Sequence, residues 1–166
     1  MPQLSRTRRE GRFVIIASRF NRVVTSRLVD GARGVLLKAG VSPRAIDILW
    51  VPGAFELPVV AAHLARPGSR AGRVGARGRP APDAIIAVGT LIRGETSQYE
   101  ILANAVAQGL SQVAVTTGIP VTFGVIVADS AAQVRARAGG RMGNRGAEAA
   151  MAAVEVLRLF ETLRDA

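Results

Sequence analysis

The chain of 166 residues contains no cysteine and a single histidine, and aromatic residues make up only 4% of it. The absence of cysteine excludes a disulfide framework and any chemistry that uses a thiolate. No apolar run approaches the ~20 residues that a membrane-spanning helix requires. The N-terminus is polar and basic, without the hydrophobic segment of a signal peptide, so we expect a cytoplasmic protein.

Hydrophobic residues make up 49% of the sequence, and with so few aromatics the core must be built from valine, isoleucine, leucine and alanine. A chain of this length is typical of one domain with a sizeable core. We therefore expect a single domain over residues 12–166, preceded by a flexible N-terminal arm over residues 1–11.

The net charge of +10 is unevenly distributed. Residues 66–82 contain five arginines, four glycines, three prolines and no acid, so this segment carries half of the excess. Its composition is typical of a loop and predicts a basic surface for an anionic ligand such as a nucleic acid. Nucleic-acid binding as the main function depends on charge alone, because no aromatic residues for base stacking are interleaved.

Apolar runs alternate with segments of helical spacing along the chain. The strands are predicted at 13–17, 45–51, 83–88 and within 119–127. The helices are predicted to begin after Thr25 or Ser26, at Glu56, after Ser97, at Asp129 or Ser130, and at Ala147 after a glycine-rich loop. This alternation predicts the α/β class, here a three-layer α/β/α fold of flavodoxin-like type with a four-stranded parallel sheet.

The stretch from Val88 to Glu100 joins a strand, a loop with glycines and a helix start. Ser97 and Glu100 have the spacing of a capping box, which predicts the helix N-terminus there. Free N–H groups and the helix dipole make such a junction suitable for an anion. The spacing alone is equally compatible with a βα turn that binds nothing.

Polar or aromatic residues follow all four predicted strands, at Phe20-Asn21, 53–56, 89–96 and after Val127. Ligands of parallel α/β sheets bind beyond the carboxyl ends of the strands. The repetition at four strand ends favours a binding site over a simple turn.

Four motifs in collinear order resemble the lumazine synthase family. They are Ser-Arg-Phe-Asn at 18–21, Val-Pro-Gly-Ala-Phe-Glu-Leu-Pro at 51–58, Gly-Thr-Leu-Ile-Arg-Gly-Glu-Thr at 89–96 and Gly-Asn-Arg-Gly at 143–146. The resemblance implies a transferase that condenses 5-amino-6-(D-ribitylamino)uracil with 3,4-dihydroxy-2-butanone 4-phosphate. The product would be 6,7-dimethyl-8-ribityllumazine, with loss of phosphate and water. It also implies that no metal or organic cofactor is used.

The resemblance implies a substrate-binding role for each residue at a matching position. The pyrimidine would be stacked on by Phe20, with Asn21 beside it, and contacted by Thr90, Leu91 and Ile92, while the ribityl chain would be held by Ala54, Phe55 and Glu56. The phosphate would be bound by Glu95, Thr96 and Arg137, with Arg145 and Glu148 near it. Phe123 would close over the substrate from a neighbouring subunit. Three of these residues also have ordinary structural readings: Phe20 as a core aromatic, Glu56 as a carboxylate at a helix N-terminus, and Arg137 as a solvated charge.

The catalytic pair implied by the resemblance is Gln98 with Arg137. Gln98 stands where the family usually has a histidine that transfers protons. A glutamine amide can orient a substrate but cannot exchange a proton near pH 7. The only histidine, His63, falls inside the second predicted helix and is not assigned this role. We expect reduced activity; the alternative is a weakened paralogue that acts as a shell-forming container or a flavin-precursor binder.

Self-association is implied by the resemblance alone. Members of the family form pentamers with the site between neighbouring subunits, and many assemble further into an icosahedral 60-mer shell. The segment from Arg137 to Gly146 has no extra residues relative to shell-forming members, which favours a 60-mer. The N-terminal arm is expected to pair with a neighbouring subunit.

Overall fold

The computed structural model describes residues 11–66 and 81–165. Most of the predicted arm and of the predicted basic loop therefore lies outside the described residues. The described residues form a four-stranded parallel sheet in the order β2-β1-β3-β4. The strands are β1 (Phe13–Ser18), β2 (Ile46–Val51), β3 (Ala84–Ile92) and β4 (Val121–Ala128).

Helices cover both faces of the sheet, so the predicted three-layer α/β/α fold of flavodoxin-like type is confirmed. The helices are α1 (Arg22–Lys38), α2 (Leu57–Ala65), α3 (Gln98–Thr117), α4 (Ala131–Arg137) and α5 (Arg145–Arg164). A short hairpin of β5 (Ala138–Gly140) and β6 (Gly143–Asn144) separates α4 from α5. Helices α1 and α5 pack on one face of the sheet, and α2 and α3 pack on the other.

The two hydrophobic cores share the central strands. Successive side chains of a strand point to opposite faces. In β1, Phe13, Ile15 and Ala17 accordingly pack against α1 and α5, whereas Val14 and Ile16 pack against α2 and α3. A strand that is buried on both faces has a continuous apolar sequence, which is why β1 could be predicted.

The strands of the sheet are held together by polar side chains where they begin, and they end at different levels. At the amino ends, the buried side chain of Arg12 lies 2.8 Å from the Asp47 carboxylate, and the Arg12 N–H donates to Asp83. At the carboxyl ends, β1 ends with Ser18, which pairs with Val51, while β3 and β4 stay paired beyond that level. We call this second edge, where the four strands end, the exit edge.

The N-terminus of α1 differs from the prediction, which placed it after Thr25 or Ser26. The helix begins at Arg22, and Asn21 precedes it with a left-handed φ of 56°. The Thr25 side chain is buried and its hydroxyl donates to the Phe20 carbonyl, 3.3 Å away. Thr25 thus satisfies the main-chain carbonyl of a residue that precedes the helix, instead of capping the helix.

Helix α3 begins after Ser97 as predicted, but the predicted capping box does not form. The Ser97 side chain makes no capping hydrogen bond, and the Glu100 carboxylate accepts from the Tyr99 hydroxyl instead. In contrast, Ser130 caps α4 as predicted, because its hydroxyl accepts from the Gln133 N–H.

The end of β3 and the start of α5 also differ from the prediction, because strand pairing and helix capping decide them. Strand β3 was predicted to end at Val88 but continues to Ile92, because β4 pairs with it that far. Helix α5 was predicted to begin at Ala147 but begins at Arg145, since the Asn144 side chain accepts from the Ala147 N–H and acts as the cap.

Candidate functional site

The ends of β1, β2 and β3 are tied together at the exit edge. The Arg19 N–H donates to the Val51 carbonyl at 2.8 Å, which joins the ends of β1 and β2. The Asn21 side-chain amide donates to the Thr90 hydroxyl at 3.1 Å, which joins the end of β1 to β3. Three separate segments of the sequence therefore form one continuous surface.

Two phenylalanines of that surface are exposed. Phe20 follows β1 and is 64% exposed, and Phe55 follows β2 and is 59% exposed. The exposure of Phe20 excludes its reading as a core aromatic. Large exposed apolar side chains that lie together at a strand edge mark a surface for a ligand or a partner.

Ala54 and Glu56 lie in a 3-10 turn (Ala54–Glu56) that leads into α2. Ala54 is buried, so only its main chain can face a ligand. One carboxylate oxygen of Glu56 accepts from the Gly53 N–H at 2.8 Å. The structural reading of Glu56 is therefore correct, and its second oxygen keeps acceptor capacity for another hydroxyl.

Thr90, Leu91 and Ile92 belong to β3, although they were predicted in a loop. Thr90 and Leu91 are buried and Ile92 is half-buried, so their side chains are largely committed to packing. Their main chain pairs with β4 on one side. On the other side, β1 ends level with Gly89, so in the described residues no strand pairs with that edge from Thr90 onward.

The loop between β3 and α3 carries Glu95 and Thr96, and Gln98 follows this loop; all three residues are exposed. Gln98 is the first residue of α3, and its N–H lies 3.5 Å from the Thr96 hydroxyl, a long contact. With Ser97 making no side-chain cap, this helix N-terminus presents main-chain N–H groups beside the exit edge.

A second group of residues forms a cavity of about 690 Å³ beside β4, α4 and the β5–β6 hairpin. We call it the arginine cleft. It contains three residues named from the sequence and several that were not. The lining residues are Phe123, Val125, Ile126, Val127, Gln133, Ala136, Arg137, Arg141, Met142 and Arg145.

Comparison with known proteins shows which family the chain belongs to. The model of the 6,7-dimethyl-8-ribityllumazine synthase family matches residues 10–161. The chain belongs to this family. Its members are transferases of riboflavin biosynthesis, and the match includes the residues of the exit edge and of the arginine cleft. The resemblance that the four motifs suggested is confirmed.

In this lumazine synthase fold, the residues named from the sequence lie in two groups on one chain. Phe123 is 38% exposed and pairs with Ala87 in the middle of edge strand β4, before the exit edge begins. Arg137 and Arg145 share its cleft. Phe20 and Glu56, in contrast, follow β1 and β2 on the other side of β3.

Gln98, which the resemblance predicts at the family's histidine position, is exposed at the first residue of α3. The only histidine, His63, lies near the end of α2, which leads away from the exit edge, and is exposed. The structure therefore offers no replacement imidazole at the exit edge. Two carboxylates of this edge, Glu56 and Glu95, lie in the motifs already named.

A polar cluster that sequence reasoning missed links the exit edge to the arginine cleft. The Tyr99 hydroxyl lies 3.2 Å from carboxylate oxygens of both Asp129 and Glu100, and it can donate to one of them at a time. Partial burial, then the hydrogen bond to Asp129, raises the pKa of Tyr99 above its ordinary value. The Asp129 N–H in turn donates to the side chain of Gln133, which lines the cleft. Only the topology brings these residues together.

The described residues contain no group of three or more His, Cys, Asp or Glu side chains placed to hold a metal ion. None of the helices in residues 11–66 and 81–165 combines the length and the apolar character needed to cross a membrane.

Proposed function

We propose that the protein catalyses the lumazine synthase reaction, joining 5-amino-6-(D-ribitylamino)uracil and 3,4-dihydroxy-2-butanone 4-phosphate to give 6,7-dimethyl-8-ribityllumazine. The observation that carries the proposal is the coexistence of two complementary surfaces within one family member. One has exposed aromatics and an open strand edge, and the other is a cleft lined by arginines.

The exit edge suits the pyrimidine substrate. The exposed ring of Phe20 offers a stacking face, and the open edge of β3 from Thr90 onward offers main-chain donors and acceptors for a planar heterocycle. The free oxygen of Glu56 can accept from the hydroxyls of the ribityl chain. Phe55, exposed beside it, can cover the apolar side of that chain.

The phosphorylated substrate needs positive charge. The N-terminus of α3, next to Glu95 and Thr96, supplies main-chain donors. Arg137 lies in the arginine cleft, on the opposite side of β3 from Phe20. A site composed of the exit edge of one subunit and the arginine cleft of the next brings both substrates together, and the pentamer of the family provides such an arrangement.

The chemistry requires orientation more than a strong acid. An amine and a ketone lose one water when they condense, two such condensations close the new ring, and phosphate leaves by elimination. Holding both partners in one geometry contributes more than a single general acid or base, which is typically worth ~10²–10⁴-fold. Gln98 can hold an oxygen through its amide while phosphate or water carries protons, so we expect a slow but genuine synthase.

The first experiment measures lumazine formation from the two purified substrates by the parent and by Gln98→His. We expect a parent rate above the uncatalysed background and a faster variant, whose pH profile gains an inflection near the histidine pKa of about 6.5. A parent at background with an active variant would instead favour the weakened container or binder, for which Gln98 is the specific argument. If neither protein exceeds background, the proposal is wrong.

The composite site is tested by mixing subunits. Phe20→Ala impairs the exit edge and Arg137→Ala impairs the arginine cleft. Assayed well below the KM values of the variants, each should be nearly inactive. After the two variants are dissociated and reassembled together, random pairing leaves about a quarter of the interfaces with both surfaces intact. Activity should therefore return on mixing. Two inactive variants that stay inactive after verified co-assembly would place both surfaces in one subunit.

Two further proposals concern assembly and charge. Native mass spectrometry distinguishes a pentamer from the expected 60-mer. Residues 66–82 are proposed to bind an anionic ligand, and binding of RNA at low salt by the parent, compared with a variant in which the segment is shortened, tests that role. Equal binding by both proteins would remove the idea.

A further inference from the structure

Only one of the three arginines in the arginine cleft is paired with an acid. The Arg145 guanidinium lies 2.6 Å from the Glu148 carboxylate, less than one turn further along α5. Within the described residues, neither Arg137 nor Arg141 forms an ion pair. The cleft therefore holds two uncompensated positive charges, and a third that a carboxylate balances.

Main-chain contacts fix the position of Arg141 relative to α4. Arg141 lies in the turn of the β5–β6 hairpin, where the Met142 N–H donates to the Ala136 carbonyl at 2.9 Å. Gly140 approaches α4 so closely that a Cβ there would lie 2.6 Å from the Arg135 carbonyl oxygen. The hairpin turn is therefore held against the helix that carries Arg137, and Arg141 lines the same cleft.

The charge balance distinguishes the three arginines as phosphate ligands. A phosphomonoester carries about −1.5 to −2 charges at neutral pH. Two uncompensated guanidinium groups match that charge, and each can bind phosphate oxygens with two parallel N–H donors. Arg145 can do so only by giving up its hydrogen bond to Glu148 or by bringing that carboxylate close to the anion.

We propose that Arg141 is the second arginine that binds the phosphate of the butanone substrate, together with Arg137, and that Arg145 is a positioning residue restrained by Glu148. The proposal rests on the proposed function for the identity of the substrate. Its physical basis is the distribution of uncompensated charge observed in the cleft of this chain.

The main test compares the KM for each substrate in the parent, Arg141→Gln and Arg145→Gln. We expect Arg141→Gln to raise the KM for the phosphorylated substrate by roughly tenfold and Arg145→Gln to raise it by less than about threefold. The KM for the pyrimidine should stay unchanged in Arg141→Gln. Arg141→Lys should restore part of the loss, because it keeps the charge without the fork.

Arg135→Gln is the matched control. Arg135 is exposed on α4 and does not line the cleft, so its loss changes net charge equally without removing a phosphate ligand. It should leave both KM values at the parent level. If Arg135→Gln weakens the phosphorylated substrate as much as Arg141→Gln, the effect is general electrostatics and the proposal is wrong.

For Glu148→Gln we expect the opposite effect on the KM for the phosphorylated substrate, because this change removes the ion pair that restrains Arg145. The KM for the phosphorylated substrate should fall severalfold, and its dependence on ionic strength should become steeper because more free positive charge faces the anion. An unchanged or higher KM in Glu148→Gln, in a protein that unfolds at the parent temperature, would contradict the proposed restraint.

Calorimetric titration with inorganic phosphate separates this proposal from the proposed function. The same ranking should appear in phosphate affinity, with Arg141→Gln weaker than Arg145→Gln, even if no lumazine is formed. Equal or larger losses in Arg145→Gln overturn the assignment of Arg141. A parent that binds phosphate with this ranking but makes no lumazine refutes the proposed reaction only.

Discussion

The side-chain amide of Asn21 donates to the hydroxyl of Thr90 at 3.1 Å, across 69 residues of sequence. The bond joins the residue that precedes α1 to the part of β3 where the β1 side is open. Asn21 also adopts a left-handed conformation, with φ at 56°. Asn21 thus stands at the start of α1 and connects that start to β3 at the exit edge.

Substitutions of Asn21 should separate the contribution of its hydrogen bond to Thr90 from that of its left-handed backbone. Asn21→Ala loses the hydrogen bond and strains the left-handed backbone, so we expect a loss of about 2 kcal/mol in unfolding free energy. Asn21→Gly keeps the conformation accessible and should lose about 1 kcal/mol. Urea unfolding of both variants, combined with Thr90→Val in a double-mutant cycle, measures the coupling. Strict additivity of Asn21→Gly and Thr90→Val would mean that the bond contributes nothing.

Phe20→Ala should weaken the pyrimidine substrate selectively. Stacking of a base on an aromatic side chain is worth ~1–3 kcal/mol, so the KM for the pyrimidine should rise by about five- to 150-fold. The KM for the phosphorylated substrate should change little. Val23→Ala is the control, because Val23 is an apolar side chain in the first turn of α1 and is 77% exposed. Similar losses in both variants would point to a general effect on the surface.

Tyr99 is the only tyrosine of the chain, so its ionisation can be followed alone by near-ultraviolet absorbance. Because its pKa is raised, we expect a titration midpoint above that of free tyrosine, and Asp129→Asn should lower it. A group whose pKa is higher in the folded than in the unfolded state stabilises fully below the unfolded pKa. That stabilisation is lost as pH rises through the folded pKa. A midpoint that Asp129→Asn does not move would refute this hydrogen bond.

Gly146 allows α5 to cross α1 in close contact. A Cβ at this position would collide with the main chain of Leu28, a contact that no rotamer change relieves. Gly146→Ala should therefore lower the unfolding free energy by about 3 kcal/mol or more. Gly34→Ala is the matched control, because nothing lies within 4 Å of a Cβ there. It should stabilise α1 by roughly 0.5–1 kcal/mol. Thermal unfolding of both variants checks the contrast.

The fold could be predicted because its signals are local. The run Phe13 to Ala17 is apolar without interruption, as expected of a strand buried on both faces. The boundaries were less predictable where a distant partner decides them. Ile92 lies in β3 because β4 extends alongside it, and no feature of the sequence near Ile92 carries that information.

The site was only partly predictable for the same reason. Phe20, Glu56 and Glu95 could be named because each stands in a motif that follows a strand. Tyr99 and Asp129 could not be paired, since 30 residues separate them and neither stands in a recognisable spacing. Arg141 was equally hidden: an arginine in a glycine-rich turn has no signal until the hairpin places it in the cleft with Arg137.

The sequence by itself determined the alternation of strands and helices, the family, and the types of residue at the exit edge, because these properties reside in hydrophobic period and short motifs. The tertiary structure alone decided which strand ends share the exit edge and which arginines share a cleft. The unpaired state of Arg141 in the described residues and the bond from Asn21 to Thr90 depend on distances across the fold, whereas Arg145 and Glu148 pair through their i,i+3 spacing in α5. Those distances follow from the order of the strands and the close packing of the helices, which no local pattern encodes.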